Sequence, residues 1–176
     1  MRILQSKPRN IEVAGFPSFK QVTQRLKKSF SGDVHLPYGE FDEMFPKAKA
    51  KSDEGMYQFL LKHFKQSGPT YRLYRMLHGM KGTRALQNPN NKLGTHWSDV
   101  RINTSGGRVR DGKSFYLCAE VPASSIDWID TFEAHLVLPY EREFYVKGPV
   151  HLVGILDPQG NVVWENPNKH NKWKTA

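Results

Sequence analysis

The sequence predicts an α+β fold in which helices come first and a mostly antiparallel β-sheet follows. Apolar residues recur at helical spacing up to about residue 66, and short strand candidates separated by Pro and Gly follow Pro69. Helices and strands do not alternate regularly, as a doubly wound parallel sheet would require. We therefore expect one domain over 1–176, with a helical portion at 1–68, a β-rich core at 69–165 and a basic tail at 166–176.

Two helices carry recognisable start signals. Ser18 and Gln21 stand three residues apart, as in a capping box, and Gly32 is a predicted stop. The apolar residues of this first helix are Phe19, Val22, Leu26 and Phe30. A second helix is predicted to begin near Ser52 or Asp53. The apolar residues along its face are Met56, Phe59, Leu60 and Phe64.

Six segments rich in apolar and aromatic residues are predicted strands. They are 71–78, 114–121, 134–138, 141–146, 150–156 and 162–165. Asp157 and Gly160 bound a strong turn signal, so the last two strands should pair as a hairpin. The stretch 79–113 is polar and rich in Gly and Asn, and ordered loops of that length are usually functional.

The charge balance favours an anionic partner. The chain has 26 Lys and Arg against 17 Asp and Glu, a net charge of +9. Such an excess attracts nucleic acid, acidic proteins or a charged cofactor without choosing among them. Much of it lies in the segment 20–28 and in the tail at Lys169, Lys172 and Lys174. The alternative is that these are solvated faces that keep the protein soluble.

Other classes are disfavoured by what the sequence lacks. Cys118 is the only cysteine, which excludes an internal disulfide and a cysteine-based zinc site. The sequence shows no signal peptide and no apolar run of about 20 residues, so we expect a soluble, cytoplasmic protein that does not enter a membrane. The glycine-rich and histidine motifs of Rossmann enzymes, P-loop enzymes, α/β-hydrolases and zincins are absent.

Glu141 and Glu143 are candidate catalytic carboxylates. They are separated by one residue at the start of the apolar segment 144–146, and residues two apart on a strand point to the same face. Paired acids on one face repel each other, but they can transfer protons or stabilise a developing cation. The alternative is an exposed edge strand whose charges discourage aggregation.

Arg75 is a candidate anion ligand. In a strand over 71–77, Arg75 would share a face with Tyr71, Leu73 and Leu77, which is the more apolar face of that strand. A buried guanidinium requires an anion, and its fork suits a phosphate or a carboxylate. The alternative is an arginine at the edge of the core that forms a local salt bridge.

The segment 95–98 combines two hydroxyls with an imidazole and an indole. Thr95 and Ser98 can hydrogen-bond to a sugar, while His96 and Trp97 offer flat rings for packing. The alternative is a core tryptophan beside a loop histidine. No second histidine stands at metal-ligand spacing, so the sequence predicts no metal here.

The order of these elements resembles the Arg–Ser–Glu class of ADP-ribosyltransferases, which includes bacterial toxins and bacteriophage-encoded enzymes. An arginine on a first strand, a hydroxyl-bearing middle segment and a late Glu-x-Glu strand correspond to Arg75, 94–98 and 141–146. The segments 121–128 and Thr131 resemble the strand that leads to that family's catalytic loop. The similarity covers roughly 70–156 and implies a split, mostly antiparallel sheet behind a helical preface. The departure is Thr-His-Trp-Ser where the family usually has Ser-Thr-Ser.

The resemblance implies transfer of ADP-ribose from NAD⁺, the co-substrate, without a metal. Glu143 would stabilise the oxocarbenium-like ribose, and Arg75 would bind the pyrophosphate. Ser98, favoured over Thr95, would hold Glu143 in place. Trp97 or Tyr116 would pack on the nicotinamide. His96 completes the expected NAD⁺-binding set, and the loop residues Arg108 and Arg110 would add phosphate contacts.

Glu141 would face the acceptor, which the resemblance favours as a protein arginine. The +9 charge points instead to RNA, DNA or a nucleic-acid-bound protein. The family also implies toxic or phage-borne enzymes, an inhibitor or antitoxin as a partner, and a monomer. Two rival hypotheses are a nucleic-acid-binding module without catalysis and a metal-free nuclease using His96, His78 or His151.

Overall fold

The computed structural model describes residues 15–77, 93–101 and 115–167. Within these ranges the chain forms four α-helices and one seven-stranded sheet. The helices are α1 (Phe19–Ser29), α2 (Tyr38–Met44), α3 (Asp53–Gln66) and α4 (Trp128–Val137). The strands are β1 (Thr70–Leu77), β2 (His96–Ser98), β3 (Phe115–Pro122), β4 (Ile126–Asp127), β5 (Glu143–Val146), β6 (His151–Leu156) and β7 (Val162–Glu165).

The sheet has the strand order β4-β5-β2-β1-β3-β6-β7, and each of these neighbouring pairs is antiparallel. The α+β class and the antiparallel sheet are therefore confirmed. The position of the helices differs from the expectation, because α4 lies between β4 and β5 in the chain.

The predicted strand 134–138 is wrong. Residues 134–137 belong to α4, which begins after Asp127, whose side chain accepts a hydrogen bond from the Asp130 amide. The buried side chains of α4 recur at helical spacing, as Thr131 and His135 show. Helix α2 was not predicted, since no side chain caps it at Pro37. The predictions for 78–92, 102–114 and 168–176, including Arg108, Arg110 and the lysine-rich tail, lie outside the described residues.

Local start and turn signals are confirmed where they were predicted. Ser18 and Gln21 form the reciprocal capping box of α1, and the Ser52 side chain accepts a hydrogen bond from the Gly55 amide at the start of α3. The β6–β7 hairpin forms around Asp157 and Gly160, the latter with φ +91°. That positive φ is a conformation glycine adopts readily.

Strands β1 and β2 are paired over fewer residues than either is with its other neighbour. Tyr74 and Ser98 are the single registered pair between them, whereas β2 pairs with β5 over its whole length. The ends of β1 and β2 beyond that pair leave room for the cavity described below.

One aromatic core supports the sheet from the helical side. Phe64 of α3 contacts rings of α4 and β5, and its own ring is 1% exposed. Its ring neighbours on α4 and β5, with centroid separations of 5.1 to 5.6 Å, are Trp128, Phe132, His135 and Phe144. Since Phe144 directly follows Glu143, the core fixes the strand on which the candidate catalytic carboxylate lies. In the same described ranges, no helix has both the length and the apolar character needed to cross a membrane.

His135 is a titratable group inside this core. Its side chain is fully buried, and Nδ1 lies 2.9 Å from the Thr131 carbonyl oxygen, so Nδ1 carries the proton and donates. Burial lowers the pKa of His135 from 6.5 to about 4. The imidazole is therefore neutral in the folded protein at physiological pH.

We expect the free energy of unfolding to fall on acidification because of His135. Between pH 6.5 and about 4 the unfolded chain binds a proton that the folded protein does not, so stability present above pH 6.5 is lost as the pH falls. From pH 7 to pH 5 the loss from this group is about 2 kcal/mol. Urea unfolding at both pH values measures this loss. The fall in the free energy of unfolding between pH 7 and pH 5 should be smaller in His135→Gln than in the unmodified protein by that amount. An equal drop in both proteins would contradict the assignment.

Candidate active site

A cavity of about 390 Å³ opens at the join between β1 and β2, within the size range of small-molecule sites. Of the predicted site residues that the structure describes, all but Thr95 line it, while Arg108 and Arg110 lie outside the described residues. The described residues that line it are Tyr74, Arg75, Met76, His96, Trp97, Ser98, Val100, Tyr116, Glu141 and Glu143. Residues that are distant in the chain are thus brought together by the pairing of β1, β2, β3 and β5.

Glu143 begins β5, and its carboxylate is held by His96. The His96 Nδ1 lies 2.8 Å from the Glu143 Oε1, and the Glu143 side chain is 23% exposed. An ionised carboxylate only accepts hydrogen bonds, so Nδ1 must carry the proton. The pair fixes the direction in which Glu143 presents its charge to the cavity.

Arg75 is anchored on the backbone of the same histidine. Its Nη1 donates to the His96 carbonyl oxygen at 2.6 Å. Burial lowers the pKa of the guanidinium, and the nearby charge of Glu143 partly offsets this shift. Within the described residues Arg75 forms no salt bridge, and its buried Nε has no hydrogen-bond partner. The site therefore contains a cation whose anion is not supplied by the described part of the chain.

Gly94 makes the position of Arg75 possible. A Cβ atom on Gly94 would lie 2.6 Å from the Arg75 Cζ, and the backbone there has φ +81°. The positive φ favours glycine, and a side chain at this position would displace the Arg75 guanidinium. The guanidinium consequently lies close to the chain that enters β2.

Ser98 supports the turn before Glu143 and does not contact its carboxylate. The Ser98 Oγ donates to the Glu141 carbonyl oxygen at 3.1 Å and accepts from the Val100 amide at 3.3 Å. Ser98 also pairs in register with Glu143. The Glu143 carboxylate is therefore contacted by His96, whereas Ser98 binds the backbone of the turn that precedes Glu143.

The remaining predicted ligands differ in their access to the cavity. Trp97 is 2% exposed, and its indole donates to the Gly94 carbonyl oxygen, so this ring belongs mainly to the core. Tyr116 lines the cavity at the register position opposite Met76, and burial raises the pKa of its phenol. Thr95 is exposed, and its carbonyl oxygen accepts from the Val146 amide, which is a sheet contact.

A turn, and not a shared strand face, brings Glu141 and Glu143 to the same cavity. Glu141 ends a 3₁₀ helix (Pro139–Glu141), and Arg142 has the left-handed backbone φ 45° and ψ 48°. The strand prediction for 141–142 is therefore wrong, although both acids do line the cavity. Burial and the charge of Glu143 raise the pKa of Glu141, while His96 opposes the shift.

Arg142 and Asp99 hold this turn in place, and neither was predicted for the site. The Arg142 Nη2 lies 2.5 Å from the Asp99 Oδ2, with both side chains 18% exposed. A left-handed non-glycine residue costs about 1–3 kcal/mol and persists where surrounding contacts dictate it. No local signal predicts this pair, because its members are 43 positions apart.

Tyr145 is a further site neighbour that the sequence did not single out. It follows Glu143 by two positions in β5, and its ring centroid lies 4.7 Å from that of His96. Burial and then the charge of Glu143 raise the pKa of Tyr145 to about 12. Strand alternation from Glu143 would have been enough to find it.

The described residues form no metal centre, and they do not bring His96 and His151 together. No group of three or more His, Cys, Asp or Glu side chains within them lies close enough to hold a metal ion. His151 lies on β6, which β1 and β3 separate from the β2 strand of His96. His78 lies outside the described residues.

The fold and the cavity together define an antiparallel α+β protein with an arginine and two glutamates at a strand junction. Comparison of the chain with protein-family models, with curated proteins and with solved structures returns no match.

Proposed function

We propose that the protein transfers ADP-ribose from NAD⁺ to a macromolecular acceptor and releases nicotinamide. One observation carries the proposal: Arg75, His96, Glu141 and Glu143 line a single cavity. Arg75 has no ion-pair partner among the described residues, so it suits the pyrophosphate of the substrate. The two carboxylates suit a ribose that becomes cationic.

Arg75 binds the pyrophosphate in this proposal. Its guanidinium is anchored through Nη1 and lacks a carboxylate partner among the described side chains, so a phosphate oxygen would supply the missing anion. Arginine is suited to this because its planar fork forms bidentate hydrogen bonds. Tyr116 and Met76 add the apolar wall against which the nicotinamide end of the substrate packs.

Glu143 stabilises the reacting ribose. As the bond between the nicotinamide nitrogen and ribose C1′ breaks, its electron pair leaves with the nicotinamide, and positive charge develops on the sugar. The carboxylate, oriented by His96, lies where it can offset that charge without reorganising.

Glu141 receives the acceptor, for which a protein arginine is the favoured class. A guanidinium nitrogen forms the new bond to ribose C1′, and its proton passes to Glu141. A raised pKa suits a carboxylate for taking that proton. The net charge of +9 keeps RNA or DNA as the next class of acceptor.

The decisive experiment follows NAD⁺ labelled on its adenylate portion. The purified protein is incubated with the label, alone and with a cell lysate, and radioactivity is measured separately in protein and in nucleic acid. Transfer that disappears in Glu143→Gln would establish the activity, and the labelled fraction would identify the acceptor class. If neither free nicotinamide nor a labelled product forms, the proposal fails.

Glu141→Gln should separate transfer from cleavage. We expect labelling of protein to fall about 10- to 100-fold, the loss of one charge-assisted contact of about 1.5–3 kcal/mol. Hydrolysis of NAD⁺, in which water accepts the ADP-ribose and nicotinamide is released, should persist because Glu143 and His96 are unchanged. Labelled protein and free nicotinamide are measured in the same reaction. An equal loss of both products would show that Glu141 does not act on the acceptor.

A nucleic-acid-binding module without catalysis is the second candidate. The net charge of +9 favours it, because counterion release on phosphate contact drives such binding. It leaves Glu141 and Glu143 unexplained, since carboxylates repel a phosphate backbone. Cleavage of NAD⁺ distinguishes the two candidates.

A further inference from the structure

A second cavity, of about 600 Å³, is lined in part by Arg142 of the Glu141–Glu143 turn. We call it the basic cavity. The residues that define it are Phe45, Lys47, Phe59, Lys62, His63 and Arg142. Arg142 contributes to this cavity, whereas its neighbours Glu141 and Glu143 line the first one. Residues of a single turn therefore line both cavities.

The described residues give the basic cavity a net positive charge. Lys47 and Lys62 are exposed and form no salt bridge with any described residue. No acidic side chain is among the described residues that line it. Arg142 is already paired with Asp99, so the two lysines supply the free positive charge. A site of this kind attracts a ligand with more than one negative charge.

Aromatic rings lie beside these lysines. Phe59 and His63 are nearly parallel, with planes inclined by 10° and centroids 6.1 Å apart. Phe45 packs on Phe59 at 5.5 Å, with the Arg142 guanidinium 5.1 Å from its ring centroid. Burial and the charge of Arg142 lower the pKa of His63, so it contributes a neutral ring. Rings interleaved with cations form a surface suited to nucleobases joined by phosphates.

We infer that the basic cavity binds a segment of single-stranded nucleic acid. Lys47 and Lys62 contact successive phosphates, and an unstacked base packs against the rings of Phe59 and His63. An acidic peptide would use the lysines but would leave the ring surface unused. A duplex would not present a base to a cavity of this size, because its bases remain stacked.

The location of the basic cavity gives the bound strand a role. Because Arg142 joins it to the turn of Glu141 and Glu143, the strand lies beside the candidate active site. There it would present a nucleotide, or an arginine of a protein bound to the same strand, to Glu141. This role rests on the proposed transferase function, whereas the binding itself does not.

Binding is tested with fluorescein-labelled single strands of about 12 nucleotides, RNA and DNA in separate arms, by fluorescence anisotropy. We expect Lys47→Gln/Lys62→Gln to raise the Kd about tenfold near 0.1 M salt. The slope of log K against log salt should fall by about 1.4, since each single-strand phosphate contact contributes about 0.7. The matched control is Lys27→Gln/Lys28→Gln, which removes the same charge from the end of α1. Its Kd should change by less than about twofold.

Phe59→Leu tests the aromatic contribution separately. We expect its Kd to rise about fivefold or more, since stacking on one ring contributes about 1–3 kcal/mol per base. Circular dichroism establishes that each variant is folded. The inference is overturned if both lysine pairs weaken binding equally, or if polyglutamate of the same length displaces the oligonucleotide at similar concentration.

These outcomes are independent of catalysis. The anisotropy measurement needs no NAD⁺, and Glu143→Gln should bind the oligonucleotide as well as the unmodified protein. Binding without cleavage of NAD⁺ would refute the transferase alone. Cleavage without binding at the basic cavity would refute this inference alone.

Discussion

Replacing Glu143 with glutamine is expected to lower the rate of NAD⁺ cleavage about 100- to 1,000-fold, as for other preorganised charges that act on a transition state. Glutamine has nearly the same shape, so the turn and β5 should be retained. It lacks the negative charge that offsets the oxocarbenium-like ribose. The His96 Nδ1 would still find an oxygen to donate to, so the geometry at 2.8 Å is preserved while the electrostatics change.

The loss should fall on kcat and leave the KM for NAD⁺ nearly unchanged, because the charge acts on the transition state more than on bound substrate. Nicotinamide release measured over a range of NAD⁺ concentrations separates the two constants. The matched control is Glu120→Gln, which removes a half-exposed carboxylate of β3 that pairs with Arg72 outside the cavity. We expect the control to stay within about twofold. A Glu143→Gln protein with an unchanged kcat would refute the catalytic role.

Phe64→Ala is expected to lower the free energy of unfolding by about 3–5 kcal/mol. Its ring is 1% exposed and lies among five other rings, so removal leaves a cavity at the centre of the core. Phe144 is one of those neighbours, and it directly follows Glu143. Loosening Phe144 should therefore disturb the active-site strand as well as the stability.

Urea unfolding followed by tryptophan fluorescence measures this change. The matched control is Phe30→Ala at the end of α1, where the side chain is 39% exposed and the change should stay within about 0.5 kcal/mol. A similar small value for Phe64→Ala would mean that the aromatic cluster is not the centre of the core.

Several parts of the fold could be predicted because their signals are local. The capping box of Ser18 and Gln21 and the turn between β6 and β7 depend on residues within about four positions of one another. The alternation that placed Arg75 with Tyr71 and Leu73 is also local, and those two side chains are indeed buried. The same local reasoning failed for 134–137, where a short apolar run is compatible with either a strand or a helix.

The composition of the candidate site could also be read from the chain, but not its contacts. Seven residues predicted for the site line one cavity. Their order along the sequence and their resemblance to a known pattern were enough to name them. Which of them holds Glu143 could not be read in this way, because His96 and Glu143 are 47 positions apart. Alternation on β2 also sends Trp97 into the core, away from the face of His96 and Ser98.

The sequence by itself determined the α+β class, the starts of α1 and α3, the last hairpin and much of the set of residues that carries charge and rings into the site. Tertiary structure alone decided how they meet. The left-handed turn at Arg142 exists because Asp99 binds its guanidinium from 43 positions away, and that turn directs Glu141 and Glu143 into one cavity and Arg142 into the other. The physical reason is that backbone propensities act between near neighbours, whereas an ion pair or a strand register is defined only when distant segments pack together.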